Sequence, residues 1–179
     1  MWHCKSSVQR INNSCTSVDC WFRFILLGCH LVIANIIDVT GSNKSRRSLA
    51  ENIVNFCIEE LMPRMKTLTI DVNIHSMKGE DAIGFCWETD NNRTFEIEVE
   101  RTLDEENFIE TICHEMVHAW QGATRKMKEK PNKRLWLCKD GKYRNYTNCA
   151  YMRQPWEVEA YRMQEGLKTK FMESNLYDK

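Results

Sequence analysis

From Ser48 onward apolar residues recur every three or four positions, at Leu49, Ile53, Phe56, Cys57 and Leu61, which predicts an amphipathic helix that Pro63 stops. Ser48 followed by Glu51 reads as its capping box. The period then falls to two. Between Thr67 and His75, Leu68, Ile70, Val72 and Ile74 alternate with Thr69, Asp71 and Asn73, the pattern of a half-buried strand. Residues Ala82 to Thr89 read as a second strand, Asp90-Asn91-Asn92 as a turn, and Arg93 to Arg101 as a returning strand with Phe95, Ile97 and Val99 on one face. The helical period resumes after the acidic turn Asp104-Glu105-Glu106, with Phe108, Ile109, Ile112, Met116 and Trp120 toward the core. Beyond Gly122 a basic, turn-rich stretch expected to be a loop runs to about Arg153. Pro155 then opens a third helix, PWEVEAYRMQEGLKTKFME. The order is helix, three strands, helix, basic loop, C-terminal helix: a small α+β domain over residues 45–179, without internal repeats.

Composition narrows the class. A chain of 179 residues with 42% hydrophobic and 28% charged side chains suits one domain with a real core. Lysine plus arginine equal aspartate plus glutamate at 25 each, so no whole-molecule field draws the chain to nucleic acid or membrane. The nine cysteines are odd in number and form no CxxC pair, which argues for reduced thiols and a cytoplasmic setting rather than a disulfide scaffold. Residues 1–44 fit this frame least well. Their apolar run, Trp21 to Val39, is interrupted by Arg23, His30, Asn35 and Asp38, so a membrane span is not expected. Three readings remain open: a weak anchor, a buried extra helix, or translated sequence upstream of the true start. The last is preferred, because the polar break Gly41-Ser42-Asn43-Lys44-Ser45 precedes a self-contained pattern.

The chemistry lies in the second helix. His114-Glu115-Met116-Val117-His118 is H-E-x-x-H, and residues four apart share a helix face, so both imidazoles reach one ion. Neutral imidazole is a preferred zinc ligand. Glu115, one position along, can reach a metal-bound water as general base without itself ligating. A catalytic zinc normally takes three protein ligands. No histidine follows His118, so the third is sought in Glu157 and Glu159 of the last helix. Glu159 is preferred because the small Ala160 beside it lets two helices approach, whereas Glu157, in the first turn, is the second choice and could cap the helix instead. Tyr151, Tyr161 and His75 are candidate oxyanion donors. Trp120 and Trp156 read as core.

HEMVH, PWEVEA and the order of elements resemble the zincin fold, with a later glutamate resembling its gluzincin branch. They are also similar to the small SprT-like and ImmA/IrrE-type metallopeptidases. A glutamate followed by alanine, as at Glu159-Ala160, resembles the ImmA/IrrE pattern, while SprT-like proteins take a downstream histidine that this chain lacks. The resemblance implies a metallopeptidase with one zinc per chain and a protein or peptide substrate. It also implies an edge strand along the cleft that pairs with extended peptide, a role falling on Thr94, Phe95, Glu96, Ile97 and Glu98.

From Arg125 to Arg144 nine basic residues face two acidic ones, with Trp136, Tyr143 and Tyr146 nearby, a composition suited to nucleic acid and equally to a solvated loop. Relatives resembling SprT act on DNA-bound proteins, which gives the patch a reason. Cys138 and Cys149 form a weaker candidate metal pair. The competing functions are a zinc peptidase, a metal-bearing non-proteolytic or DNA-associated binding module, and a zinc-free structural protein.

Overall fold

The Asn35 side chain ties the start of the described fold to its middle, donating to the Met65 carbonyl at 3.0 Å and accepting from the Leu68 amide at 3.0 Å. The computed structural model describes residues 34–89 and 91–177. The apolar run from Trp21 lies mostly outside them, and the chain from Ile33 onward forms one unit. Within it Ile36–Gly41 (β1) runs parallel to Thr69–His75 (β2), with Ile37 opposite Ile70 and Val39 opposite Val72. The folded unit therefore begins before the expected boundary at residue 45, because the sheet needs β1. Gly41 closes the strand at φ +74°, and a Cβ there would lie 2.0 Å from the Ile74 carbonyl oxygen, so only glycine fits.

Helix α1 spans Lys44–Leu61, a full turn earlier than Ser48 suggests. Its cap is Asn43, whose side chain accepts from the Arg46 amide at 2.9 Å. Asparagine satisfies an orphan N–H as well as serine does, and nothing in Lys44 to Arg47 breaks a helix. Strands β3 (Gly84–Glu88) and β4 (Thr94–Glu100) form the expected hairpin, and the sheet order is β1-β2-β4-β3. β4 pairs in parallel with β2 on one side and antiparallel with β3 on the other. The edge role expected of Thr94 to Glu98 is thus corrected. Because β3 folds back onto β4, the outer strand among the described residues is β3.

Helix α2 (Glu105–Ala123) is capped by Asp104, which accepts from the Asn107 amide at 2.9 Å. It packs against α1, β3, β4 and the last helix, α3 (Pro155–Met172). Ile70, Val72 and Ile74 lie in register with Phe95, Ile97 and Val99, and this buried face meets Ile53 and Cys57 of α1 and Ile109, Ile112 and Met116 of α2. Burying each large aliphatic side chain contributes about 1.5–3 kcal/mol, which fixes α2 to the sheet. The expected basic loop contains a small antiparallel sheet, β5 (Met127–Lys130), β6 (Lys133–Leu137) and β7 (Tyr143–Asn145), turned by Asn132 at φ 62° and Gly141 at φ 75°. A 3-10 turn at Tyr151–Arg153 leads into α3. Among the described residues no helix is long and apolar enough to cross a membrane.

Candidate metal centre

One helical turn separates His114 from His118, and burial of their face of α2 turns both rings toward α3. Their Nε2 atoms are 3.1 Å apart. The first turn of α3 brings Glu157 Oε2 to 3.4 Å from His114 Nε2 and 3.5 Å from His118 Nε2. These residues are the one group of His, Cys, Asp or Glu among the described residues close enough to hold an ion, and all three are buried. Glu157 Oε2 is buried without a hydrogen-bond partner, and 3.4–3.5 Å is too long for a strong N–H···O bond. Electron-rich atoms aimed into so dry a space call for a cation among them. The cluster could hold a metal ion.

The electrostatics point the same way. Burial pushes the Glu157 carboxyl up, but the facing His114 and His118 imidazoles and the Tyr151 hydroxyl together bring it down to about 2. For His118, burial lowers the pKa, yet the carboxylates of Glu157 and Glu115 raise it overall. The pocket thus favours positive charge at the metal position. Glu115 is held above the usual carboxylate range by burial, which outweighs the downward pull of His118 and His114.

The preference for Glu159 is corrected to Glu157. Glu159 Oε2 accepts from Gln121 Nε2 at 3.2 Å, and its other oxygen pairs with Lys126. The physical reason is helical phase. Ala160 is fully buried where α3 meets α2, but the residue sharing its face is three positions back, Glu157, whereas Glu159 is rotated about 100° away.

Glu115 stands beside the cluster without joining it, against β3. A Cβ on Gly84 would lie 2.8 Å from Glu115 Oε1 and 2.6 Å from Thr111 Cγ2, so a glycine lets the outer strand run directly over the carboxylate. A narrow cleft opens next to His118, lined by Cys86, Trp87 and Glu88 of β3, Phe95 of β4, and Met127 and Glu129 of β5. Of the candidate oxyanion donors, Tyr161 stacks edge-on against His114 with centroids 4.8 Å apart. Tyr151 interacts with both Glu157 and Tyr161, and burial together with Glu157 pushes its hydroxyl well above the ordinary range. His75 is placed elsewhere, 3.4 Å from Glu98 on the sheet face away from α2. Trp156 packs in the interior near Trp136, as expected of a core residue.

The ring Nδ1 atoms of both histidines meet glutamines, His114 with Gln164 Oε1 at 2.6 Å and His118 with Gln121 Oε1 at 2.9 Å. Neither glutamine was singled out by the sequence. Gln121 had a legible signal in its place three residues after His118, one turn along the same face, while Gln164 had none. The described cysteines, Cys57, Cys86, Cys113, Cys138 and Cys149, are free thiols, and Cys138 and Cys149 belong to no candidate metal group.

The small sheet sorts its charges by face. Arg134 pairs with Glu129 at 3.1 Å and Arg144 with Asp140 at 2.7 Å. Lys128, Lys130 and Lys133 share the other face with Leu135 and Tyr143, and none of the three has an ion pair among the described residues. Lys128 Nζ lies 4.1 Å over the Tyr143 ring.

Fold and site together define a small α+β protein with a buried His-His-Glu cluster able to hold a metal ion. No protein-family model, curated protein or solved structure matches the chain.

Proposed function

We propose that this chain is a zinc-dependent metallopeptidase of the zincin type, with Glu157 as its carboxylate ligand in the gluzincin manner. The observation that carries the reading is the His114-His118-Glu157 cluster with Glu115 beside it but outside it. Zinc on these side chains would supply Lewis acidity, polarising a carbonyl and making water a nucleophile at neutral pH. Glu115 takes the proton from the attacking water and passes it to the leaving amine nitrogen. Its raised pKa suits both acceptance and delivery. The hydroxyls of Tyr151 and Tyr161 stand at the rim of the cluster, where an O–H donor would meet the developing oxyanion. Substrate recognition passes from β4 to β3, whose residues Cys86, Trp87 and Glu88 line the cleft beside His118, so an extended peptide would lie along that strand.

The wild-type chain is expected to retain one zinc and to cleave an unfolded polypeptide, with activity lost to a chelator and restored by zinc. Glu157→Ala is expected to weaken zinc binding by more than about 100-fold, since losing even a residue that only orients a ligand costs about 10–100-fold. Metal analysis and a competition titration measure both. A wild-type chain that binds no zinc would overturn the reading.

The charge-sorted small sheet supports a second reading, in which the unpaired lysine face binds single-stranded DNA and recruits the peptidase to it. Replacing Lys128, Lys130 and Lys133 by alanine is expected to reduce the slope of log affinity against log salt by about 2, at about 0.7 for each phosphate contact on a single strand. An unchanged slope, or no binding at low salt, would remove this reading.

A further inference from the structure

Resting on the metal-site reading, we infer that Gln121 and Gln164 are positioning residues that select which nitrogen of each histidine faces the metal, each locked in orientation by its own glutamate–lysine pair. The two arms arise from different elements and converge on the same device. In one, Gln164 Nε2 donates to Glu110 Oε1 at 2.5 Å, and Glu110 Oε2 accepts from Lys168 at 2.7 Å. In the other, Gln121 Nε2 donates to the Trp156 carbonyl at 3.0 Å and to Glu159 Oε2 at 3.2 Å, and Glu159 pairs with Lys126.

The logic is one of donors and acceptors. A carboxylate and a carbonyl only accept, so the amide nitrogen of each glutamine must face them. That forces each Oε1 toward the imidazole. An amide oxygen also only accepts, so the Nδ1 it meets must carry the hydrogen. Each ring then presents its Nε2 lone pair to the centre, on the side where Glu157 lies. Flipping either amide would set its oxygen against a carboxylate, acceptor facing acceptor with no hydrogen between them. The orientation is therefore fixed by charges one bond further out.

The lysines make this arrangement tolerable. Glu110 and Glu159 would otherwise add two partly buried negative charges behind the histidines. Lys168 also lies within 3.2 Å of Glu106 and 3.1 Å of Glu165, which anchors that arm to both α2 and α3. Lys126 lies 4.8 Å over the Trp120 ring and 5.1 Å over the Trp136 ring, so the other arm reaches from His118 to the small sheet. Glutamine also differs from the carboxylate that commonly backs a ligand histidine, because it orients the ring without adding charge to it.

The Gln164 arm is the more testable, since Gln164 is half-buried whereas Gln121 is fully buried. Zinc affinity is measured by competition with a chromophoric chelator, and ligand geometry by the absorption spectrum of the cobalt-loaded protein. Gln164→Met, which cannot accept the hydrogen bond, is expected to lower affinity by about 10–100-fold and to alter the cobalt bands, with the metal-free melting temperature unchanged. The double variant Gln164→Glu with Glu110→Gln places an acceptor on His114 and a donor behind it, and is expected to restore both affinity and spectrum. Wild-type affinity in Gln164→Met, or a double variant as weak as the single one, would overturn the inference. Absence of zinc from the wild type would instead overturn the metal site itself.

Discussion

Replacing Glu115 by glutamine is expected to lower peptide hydrolysis by about 10²–10⁴-fold while one zinc stays bound, the loss typical of removing a general base. The substitution keeps the shape of the side chain and removes only its ability to take a proton. Zinc retention follows from geometry, because the ion-holding cluster is His114, His118 and Glu157, and Glu115 is not among its members. Burial holds the Glu115 carboxyl high, and the neutral amide removes a buried charge that burial disfavours. The variant is therefore expected to be no less stable than wild type. Metal content, thermal melting and single-turnover cleavage separate the outcomes. A variant that cleaves at the wild-type rate would place the base elsewhere and remove Glu115 from the mechanism, whereas loss of zinc would make Glu115 part of the ligand set.

A chain shortened to begin at residue 45 is expected to lose at least about 4 kcal/mol, a large part of the roughly 5–15 kcal/mol that holds a domain of this size together. The shortening deletes β1, which pairs with β2 over all six of its residues. It also removes the half-buried Ile37 and Val39 packed on the core and the Asn43 cap, whose loss alone costs about 0.5–2 kcal/mol. Beyond these contacts, β2 becomes an open hydrophobic edge liable to pair with another chain. Denaturant midpoints of the shortened and full chains decide the matter, and equal midpoints would show that β1 contributes nothing.

Much of the fold was readable because its elements announce themselves through periodicity. Alternation at Ile70, Val72 and Ile74 and at Phe95, Ile97 and Val99 located β2 and β4 within two residues, and the spacing of His114 and His118 put both rings on one face of α2. The small sheet was legible only in its turns. Its turns carry Pro131-Asn132 and Asp140-Gly141, punctuation that the density of lysines obscured. β1 was hidden differently, since Ile36, Ile37 and Val39 merge with the apolar residues before them and Asp38 looked like an interruption rather than the outward residue of a strand.

By itself the sequence determined the local part of this protein: the three helices, the strands β2 to β4, and two imidazoles on one helical face with a carboxylate beside them in the same turn. Such features depend on neighbours a few residues apart, and steric period sets them. Only the tertiary structure decided that Glu157 rather than Glu159 meets those imidazoles, that β3 lies beyond β4 in the sheet, and that Gln121 and Gln164 stand behind the rings. Each of these turns on how two elements distant in the chain are rotated and layered against one another. That rotation comes from the packing of the whole core, as when Ala160 seats α3 on α2 and thereby points the residue three positions earlier inward.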